Sequence, residues 1–213
     1  MKQIILNNNI HKIHFIGIGG IGMSALAHIL SLRKYQITGS DLQDNNEITN
    51  LKAQGISISN KHEKNNIKNQ DLIVISAAIS QKNIELQQAL KLKIPIITRG
   101  ELLAELFNNY RGIAIAGSHG KTSISALISH ILISAKCDPI CFVGGIVKNI
   151  NSNFYHGKGQ WFVSEADESD TSFLLLNPEI AIISNIDEDH LENYQHDWQI
   201  LENSFLKFIN NNI

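Results

Sequence analysis

Cysteine is nearly absent: Cys137 and Cys141 are the only two in 213 residues. Two thiols cannot complete a structural zinc site, and both are expected to be reduced core residues. Arginine is scarce beside Lys, Asn and Ile, and the formal net charge is −2, which gives no reason to expect a nucleic-acid surface. No apolar run approaches the ~20 residues of a membrane-spanning helix, so no membrane insertion is expected. The first residues carry no signal-peptide pattern, which points to a cytoplasmic protein. No repeat of solenoid period is apparent. The hydrophobic content of 43% and charged content of 18% suit globular cores. The length favours two compact units over one.

The organising stretch is Ala116-Gly117-Ser118-His119-Gly120-Lys121-Thr122-Ser123. It follows a strand-like run, Gly112 to Ala116, and opens a helix-like run, Ser125 to Leu132. A glycine-bearing turn between strand and helix lets successive backbone N–H groups converge, and the helix N-terminus adds partial positive charge, so a phosphate fits. Lys121 is then placed to hold outer phosphates and the Thr122 hydroxyl to ligate Mg²⁺. The general phosphate-loop pattern puts about four residues between its glycines, whereas Gly117 and Gly120 bracket only Ser118 and His119. The bland alternative is a tight turn with a solvated lysine.

The remaining chain alternates strand-like and helix-like runs, which argues an α/β fold with parallel sheets. Expected strands lie at 11–18, 36–39, 56–58, 71–76 and 94–97, then at 112–116, 140–143, 161–164 and 180–184. Helices are expected from Met23, at Leu51 to Gln54, Ile84 to Leu92, Glu101 to Phe107, after the phosphate loop, and over Trp198 to Ile209. Asn65 to Gln70 reads as loop. Asn108-Asn109-Tyr110 is the expected junction, dividing the chain into domains 1–108 and 109–213.

Parallel sheets gather functional groups where strands end at the carboxyl edge. Three such ends carry charge: the phosphate loop, Glu165 in Glu165-Ala166-Asp167-Glu168-Ser169-Asp170, and Asp189-His190. That is the kit of a phosphoryl-transfer centre. Thr122 and Glu165 are assigned to a first Mg²⁺ and His190 to a second, with Lys121, Glu165 and His190 as the catalytic set. Histidine prefers softer ions, so His190 is the assignment least grounded in ligand chemistry. The acidic run could equally be a solvated turn, and His190 a capping histidine. The other histidines (His11, His14, His28, His62, His130, His156, His196) are given no chemistry, and His119 only shapes the loop. In the first half, Gly19, Gly20 and Gly22 with Asp41 form a weak dinucleotide fingerprint, Asp41 standing about twenty residues on, where a ribose would be met. A non-catalytic module binding a UDP-sugar through residues 1 to about 107 is therefore a second reading. A nicotinamide-dependent oxidoreductase using the first glycine loop is a third, which the phosphate loop disfavours.

Taken together, His14 to Ser24, Gly117 to Thr122, Glu165 to Asp170 and Asn185-Ile186-Asp187-Glu188-Asp189-His190 resemble the Mur ligase family, over the whole chain and in the family's order. The resemblance implies a Rossmann-like N-terminal domain for a UDP-linked substrate, followed by a phosphate-loop ATP-binding domain. It implies the alanine-adding branch, in which ATP phosphorylates the carboxylate of UDP-N-acetylmuramate and L-alanine attacks the acyl phosphate, in cytoplasmic peptidoglycan synthesis. By resemblance Gly19, Gly20, Ile21 and Gly22 face the diphosphate, and Ser40, Asp41, Ser76, Ala77 and Ala78 line the same pocket. Gly117, Ser118, His119, Gly120, Lys121, Thr122 and Ser123 hold ATP. Sibling ligases carry a carbamylated lysine that would fall near Phe205, with Lys207 out of step, and its lack agrees with the alanine-adding branch. Family members are much longer, so the resemblance also implies an incomplete central domain, a truncated copy or fragment. It carries no statement about oligomeric state.

Overall fold

The computed structural model describes residues 6, 9–147, 152–169, 171–188 and 191–210. It divides into two compact units, Met1–Glu105 and Leu106–Ile213. The division falls a few residues ahead of the Asn108-Asn109-Tyr110 junction expected from sequence.

The first unit is a five-stranded parallel sheet in the order β3-β2-β1-β4-β5. Its elements are β1 (Lys12–Ile16), α1 (Ile21–Leu32), β2 (Gln36–Ser40), α2 (Asn46–Ala53), β3 (Ser57–Ser59), β4 (Leu72–Ile75), α3 (Ile84–Lys91), β5 (Ile96–Thr98) and α4 (Arg99–Phe107). β1 and β4 read as apolar runs because both faces are covered: Ile13, Phe15, Ile16, Leu72, Ile73 and Val74 are all at 0% exposure. The chain winds one way from β1 to β3 and crosses over to β4, so the order reverses between β1 and β4. The crevice beyond their carboxyl ends is where such sheets bind ligands. Asn45 caps α2 by accepting from Ile48 N–H, and Asn83 caps α3 by accepting from Glu85 and Leu86 N–H. The cap at Asn45 starts α2 five residues before the Leu51 expected from apolar spacing. A 3₁₀ turn, Lys64–Asn66, replaces part of the expected loop.

The second unit holds β6 (Arg111–Ala116), α5 (Lys121–Ser134), β7 (Ile140–Val147), β8 (Ser152–His156), β9 (Trp161–Glu165), β10 (Ile180–Ile183) and α6 (Trp198–Asn210). The sheet order is β10-β6-β9-β7-β8. β6 pairs in parallel with both β10 and β9, and β7 with β9. β8 is a correction to the all-parallel expectation: it returns antiparallel to β7, with an irregular register between Phe142 and Val147. One face of the sheet packs Ile113, Ile115, Cys141, Val143 and Val163 against Ile124, Ile128 and Leu132 of α5. α6 contributes Leu201, Ser204, Phe205 and Phe208, a helical stripe. Phe173 meets Phe205 and Phe208 at 5.3 and 5.2 Å between centroids. Phe205 is thus core, and Lys207 is exposed. Both cysteines are free; Cys141 is buried as expected, Cys137 only partly.

One feature of the first unit escapes sequence patterning. Glu85 sits at 0% exposure in the first turn of α3. Ser40 Oγ and His62 Nδ1 lie 2.5 and 2.6 Å from its Oε2, and Asn66 Nδ2 lies 2.5 Å from its Oε1. His14 Nε2 lies 3.8 Å from Oε1. Burial alone would raise this carboxyl, but the bonds from His14, Ser40, Asn66 and His62 outweigh it and hold the group down at about 2. The folded value lies below the ordinary one, so the anion stabilises the fold fully above pH 4.5, and that contribution is lost as pH falls toward 2. Glu85→Gln is expected to be roughly 2–4 kcal/mol less stable at neutral pH, since it breaks a buried charged network. In denaturant melts from neutral to strongly acid pH it should also lack that stretch of acid dependence. An acid slope equal to the parent's would remove Glu85 from this role.

Candidate functional site

β6 lies between β10 and β9, so three adjacent strand ends open on the same edge of one sheet. Gly117 leaves β6 with φ +126°, and a Cβ there would stand 2.3 Å from Ser184 Oγ. Only glycine satisfies both conditions. Ser118 N–H donates to the Asn185 carbonyl (3.2 Å) and His119 N–H to Asn185 Oδ1 (2.8 Å). Asp187 N–H donates to Ser118 Oγ at 2.9 Å, and Ser184 Oγ donates to the His119 carbonyl at 2.5 Å. The loop is stitched to the end of β10. This corrects one expectation: the N–H groups of Ser118 and His119 do not converge on a ligand, because Asn185 takes both. What remains is the start of α5, where Gly120 (φ +83°) precedes Lys121 and no side chain caps the helix. The N–H groups of Lys121, Thr122 and Ser123 have no acceptor within the helix, and they form the anion-binding feature.

Lys121 Nζ turns back over the loop. It donates to the Gly117 carbonyl, to Ser118 O at 3.4 Å and to Glu168 Oε1 at 2.9 Å. Glu168 is buried at 1% exposure, and its Oε2 has no hydrogen-bond partner among the described residues. Tyr194, itself buried, donates its hydroxyl to the Glu168 carbonyl. Glu165 is fixed by a separate set: its Oε1 accepts from Gly144 N–H at 2.7 Å and lies 3.1 Å from Ser125 Oγ. Ser125 Oγ is also 3.1 Å from the Thr122 carbonyl, which ties the first turn of α5 to the end of β9. A Cβ on Gly144 would stand 2.6 Å from Glu165 Oε2, and one on Gly145 would stand 3.1 Å from Thr122 Cγ2. Thr122 and Glu165 therefore meet the same short segment of β7.

Of the expected set, Thr122 and Glu165 are linked through Ser125, while Lys121 is held on Glu168. His190, with Asp189 and Asp170, lies outside the described residues. Among the described residues no group of three or more His, Cys, Asp and Glu could hold a metal ion. A hydroxyl and a carboxylate are nevertheless the hard oxygen donors that suit Mg²⁺, and the orphaned Glu168 oxygen is a further acceptor nearby. Sequence reading missed Asn185, Glu168 and Tyr194. The acidic run was visible, but which of its carboxylates faces the lysine depends on how the chain turns after β9. Asp167 uses Oδ1 locally, on the N–H and hydroxyl of Ser169.

In the first unit the glycine loop follows β1 at the switch in strand order. Gly17 and Ile18 N–H donate to the Ser40 carbonyl at 2.8 and 3.1 Å. α1 begins after Gly20 with no side-chain cap, leaving the N–H groups of Ile21, Gly22 and Met23 unused by the helix. Two of the expected pocket residues are placed differently from the expectation. Ser40 is fully buried with its hydroxyl on Glu85, so it serves the loop through its carbonyl. Asp41 accepts from Gly19 N–H (2.8 Å) and Gln43 N–H (3.0 Å), so it braces the loop instead of standing free for a ribose. Ser76, Ala77 and Ala78 follow β4, partly buried to exposed. A groove of about 180 Å³ opens beside Asp41, lined also by Leu42, Ile48, Lys52, Ile58 and Ser59. Among the described residues no helix is long and apolar enough to cross a membrane.

A switch-point glycine loop in one unit and a stitched phosphate loop in the other define a nucleotide-handling α/β protein. Residues 12–111 match the Mur ligase family catalytic domain and residues 115–212 the Mur ligase middle domain, a phosphate-loop ATP-binding domain. The chain belongs to the Mur ligase family. It is 50% identical to the UDP-N-acetylmuramate–L-alanine ligase of Baumannia cicadellinicola, over 98% of this chain and 42% of that protein. It is 43% identical to the ligase of the same name from Ruthia magnifica, over 97% of this chain and 44% of that protein. Among solved structures, the UDP-N-acetylmuramate-alanine ligase of Thermotoga maritima superposes with a TM-score of 0.89 at 32% identity, covering 94% of this chain and 47% of that one. The UDP-N-acetylmuramate:L-alanyl-gamma-D-glutamyl-meso-diaminopimelate ligase of Neisseria meningitides shares the fold at a TM-score of 0.88 and 24% identity, covering 96% of this chain and 69% of that one. The chain spans less than half the length of the curated relatives it matches.

Gly144→Ala is expected to push the Glu165 carboxylate off Gly144 N–H and Ser125. Calorimetric titration should then give an affinity for Mg-ATP lowered by about tenfold, with the melting temperature shifted by no more than about 4 °C, as for one displaced partly exposed contact. Unchanged affinity would show that Glu165 does not depend on that seat.

Proposed function

We propose that this chain is the substrate- and ATP-binding portion of a ligase joining L-alanine to UDP-N-acetylmuramate, in cytoplasmic peptidoglycan synthesis. The observation that carries the reading is the start of α5, where Lys121 is held on Glu168 and Ser125 links the Thr122 carbonyl to Glu165 at the end of β9. The 50% identity to a ligase of that name supports the choice of substrate.

A carboxylate is a poor electrophile because oxide is a poor leaving group. In the proposed reaction the carboxylate of UDP-N-acetylmuramate attacks the γ-phosphorus of ATP, giving an acyl phosphate and ADP. The amine of L-alanine then attacks the acyl carbon, the amide forms, and inorganic phosphate leaves. The first turn of α5 receives the phosphates through its free N–H groups. The Lys121 ammonium exchanges loop carbonyls for phosphate oxygens and stabilises the charge that builds up during transfer. Thr122 and Glu165 would hold a Mg²⁺ ion and His190 would be the candidate ligand of a second, and such ions would supply further neutralisation of that charge. Ser125 and Gly144 N–H keep Glu165 aimed while this happens.

In the same proposal residues 1–108 form the UDP-substrate domain and 109–213 the ATP-binding domain. Gly19, Gly20, Ile21 and Gly22, at the open N-terminus of α1, face the diphosphate. Asp41 with Ser76, Ala77 and Ala78 borders the pocket, and the groove beside Lys52 and Ile58 receives part of the nucleoside. Making a cell-wall precursor would tie the protein to cell shape and division.

Lys121→Ala is expected to abolish measurable ATP binding while leaving UDP-N-acetylmuramate binding within about twofold, as expected for independent sites. Calorimetry with each ligand on the same sample checks this. Equal loss of both would sink the division into two sites.

A further inference from the structure

We infer that Glu168 is the residue by which the phosphate loop discriminates metal-bound from metal-free nucleotide. The inference rests on the reading that this loop holds ATP.

A lysine ammonium has three N–H donors. Here they are directed at the Gly117 carbonyl, the Ser118 carbonyl and Glu168 Oε1. The empty loop is thus electrically balanced, one ammonium against one carboxylate 2.9 Å away. The carboxylate has no easy escape to water. Its side chain is 2% exposed, and its backbone carbonyl accepts from both Tyr194 Oη and Thr171 N–H. The other described charged groups around the loop are Glu165, His119 and Asp187. His119 is largely exposed and faces Asp187 at 3.4 Å.

A triphosphate arriving without a cation brings about four negative charges at neutral pH to a site whose partly buried ammonium, Lys121, is already matched by Glu168. Glu168 stays behind when Lys121 turns to the phosphates, because its backbone is tied down. It then faces the incoming charge, and like charges a few ångströms apart repel. A nucleotide that arrives with a divalent cation carries about half that charge. Its cation also gains the Glu168 oxygen that has no partner, directly or through a bound water. Glu168 therefore penalises free nucleotide strongly and the metal complex little.

The test compares the 213-residue chain with Glu168→Gln, which keeps the shape and removes the charge. Calorimetry measures ATP in EDTA and ATP in excess Mg²⁺ on each sample. The Gln variant is expected to bind free ATP about tenfold more tightly than the parent, since a single repulsive contact is removed. Mg-ATP affinity should change by less than about threefold, so the preference for the metal complex narrows. A residue with only a structural role would move both affinities together. An equal or wider preference in the variant overturns the inference. Glu168→Met is the second neutral replacement, and melting curves establish which variants fold. If neither folds, Glu168 is a folding residue and the inference falls. A parent chain that binds no ATP in either condition would refute the ATP reading itself. A parent that binds Mg-ATP with a preference the variant shares refutes only the role of Glu168.

Discussion

The adjacency of β10, β6 and β9 is the constraint on which the ATP site depends. Parallel pairing of β6 with both neighbours puts three carboxyl ends on one edge. Each end contributes something a single loop could not. β6 supplies the turn into α5. β9 supplies Glu165 and, a turn later, Glu168. β10 supplies Asn185, which takes up the loop N–H groups that would otherwise lack a fixed direction. Slipping β10 by one residue against β6 would carry Asn185 away from Ser118 and His119. The register Ile180 with Ile113 through Ile183 with Ala116 therefore determines the shape of the loop.

In the first unit, a buried charge performs the equivalent task. Glu85 draws His14 of β1, Ser40 of β2, and His62 and Asn66 of the connection after β3 around one carboxylate. With the Ser40 hydroxyl held from below, its carbonyl is held where Gly17 and Ile18 N–H reach it. An apolar residue at position 85 could fill the space but could not orient a serine, two histidines and an asparagine together. The polarity of this part of the core is thus linked to the geometry of the glycine loop.

The α/β class and the strand ends were legible in the sequence, because they follow from periodicity and from glycines at strand-to-helix turns. β8 was not, since Ser152 to His156 has neither apolar alternation nor length, and it forms by pairing with β7. α2 was read too short because its start depends on the Asn45 cap rather than on apolar spacing. Seven histidines were left without chemistry, a fair reading of each alone. His14 and His62 meet Glu85 only when β1 and the loop after β3 reach α3, a contact far apart in sequence. Ser40 and Asp41 were placed at the correct strand end, yet the sequence carries no sign of which way a serine hydroxyl or an aspartate carboxylate turns.

The two glycine loops share a physical solution. In each, the N–H groups nearest the strand are taken by the adjacent strand end: Ser40 O and Asp41 for the first, Asn185 for the second. In each, the following helix lacks a side-chain cap. A capping serine or aspartate would satisfy the helix and compete with any bound anion, and it would add negative charge where phosphate must sit. With glycine at both cap positions, leaving the helix starts without a side-chain cap costs only about a few tenths of a kcal/mol each. The neighbouring strand offsets this by fixing the loop, so a phosphate meets N–H groups already aimed. Glycine in these loops therefore serves the close approach to the neighbouring strand, while the helix start keeps its N–H groups outside the helix's own bonding.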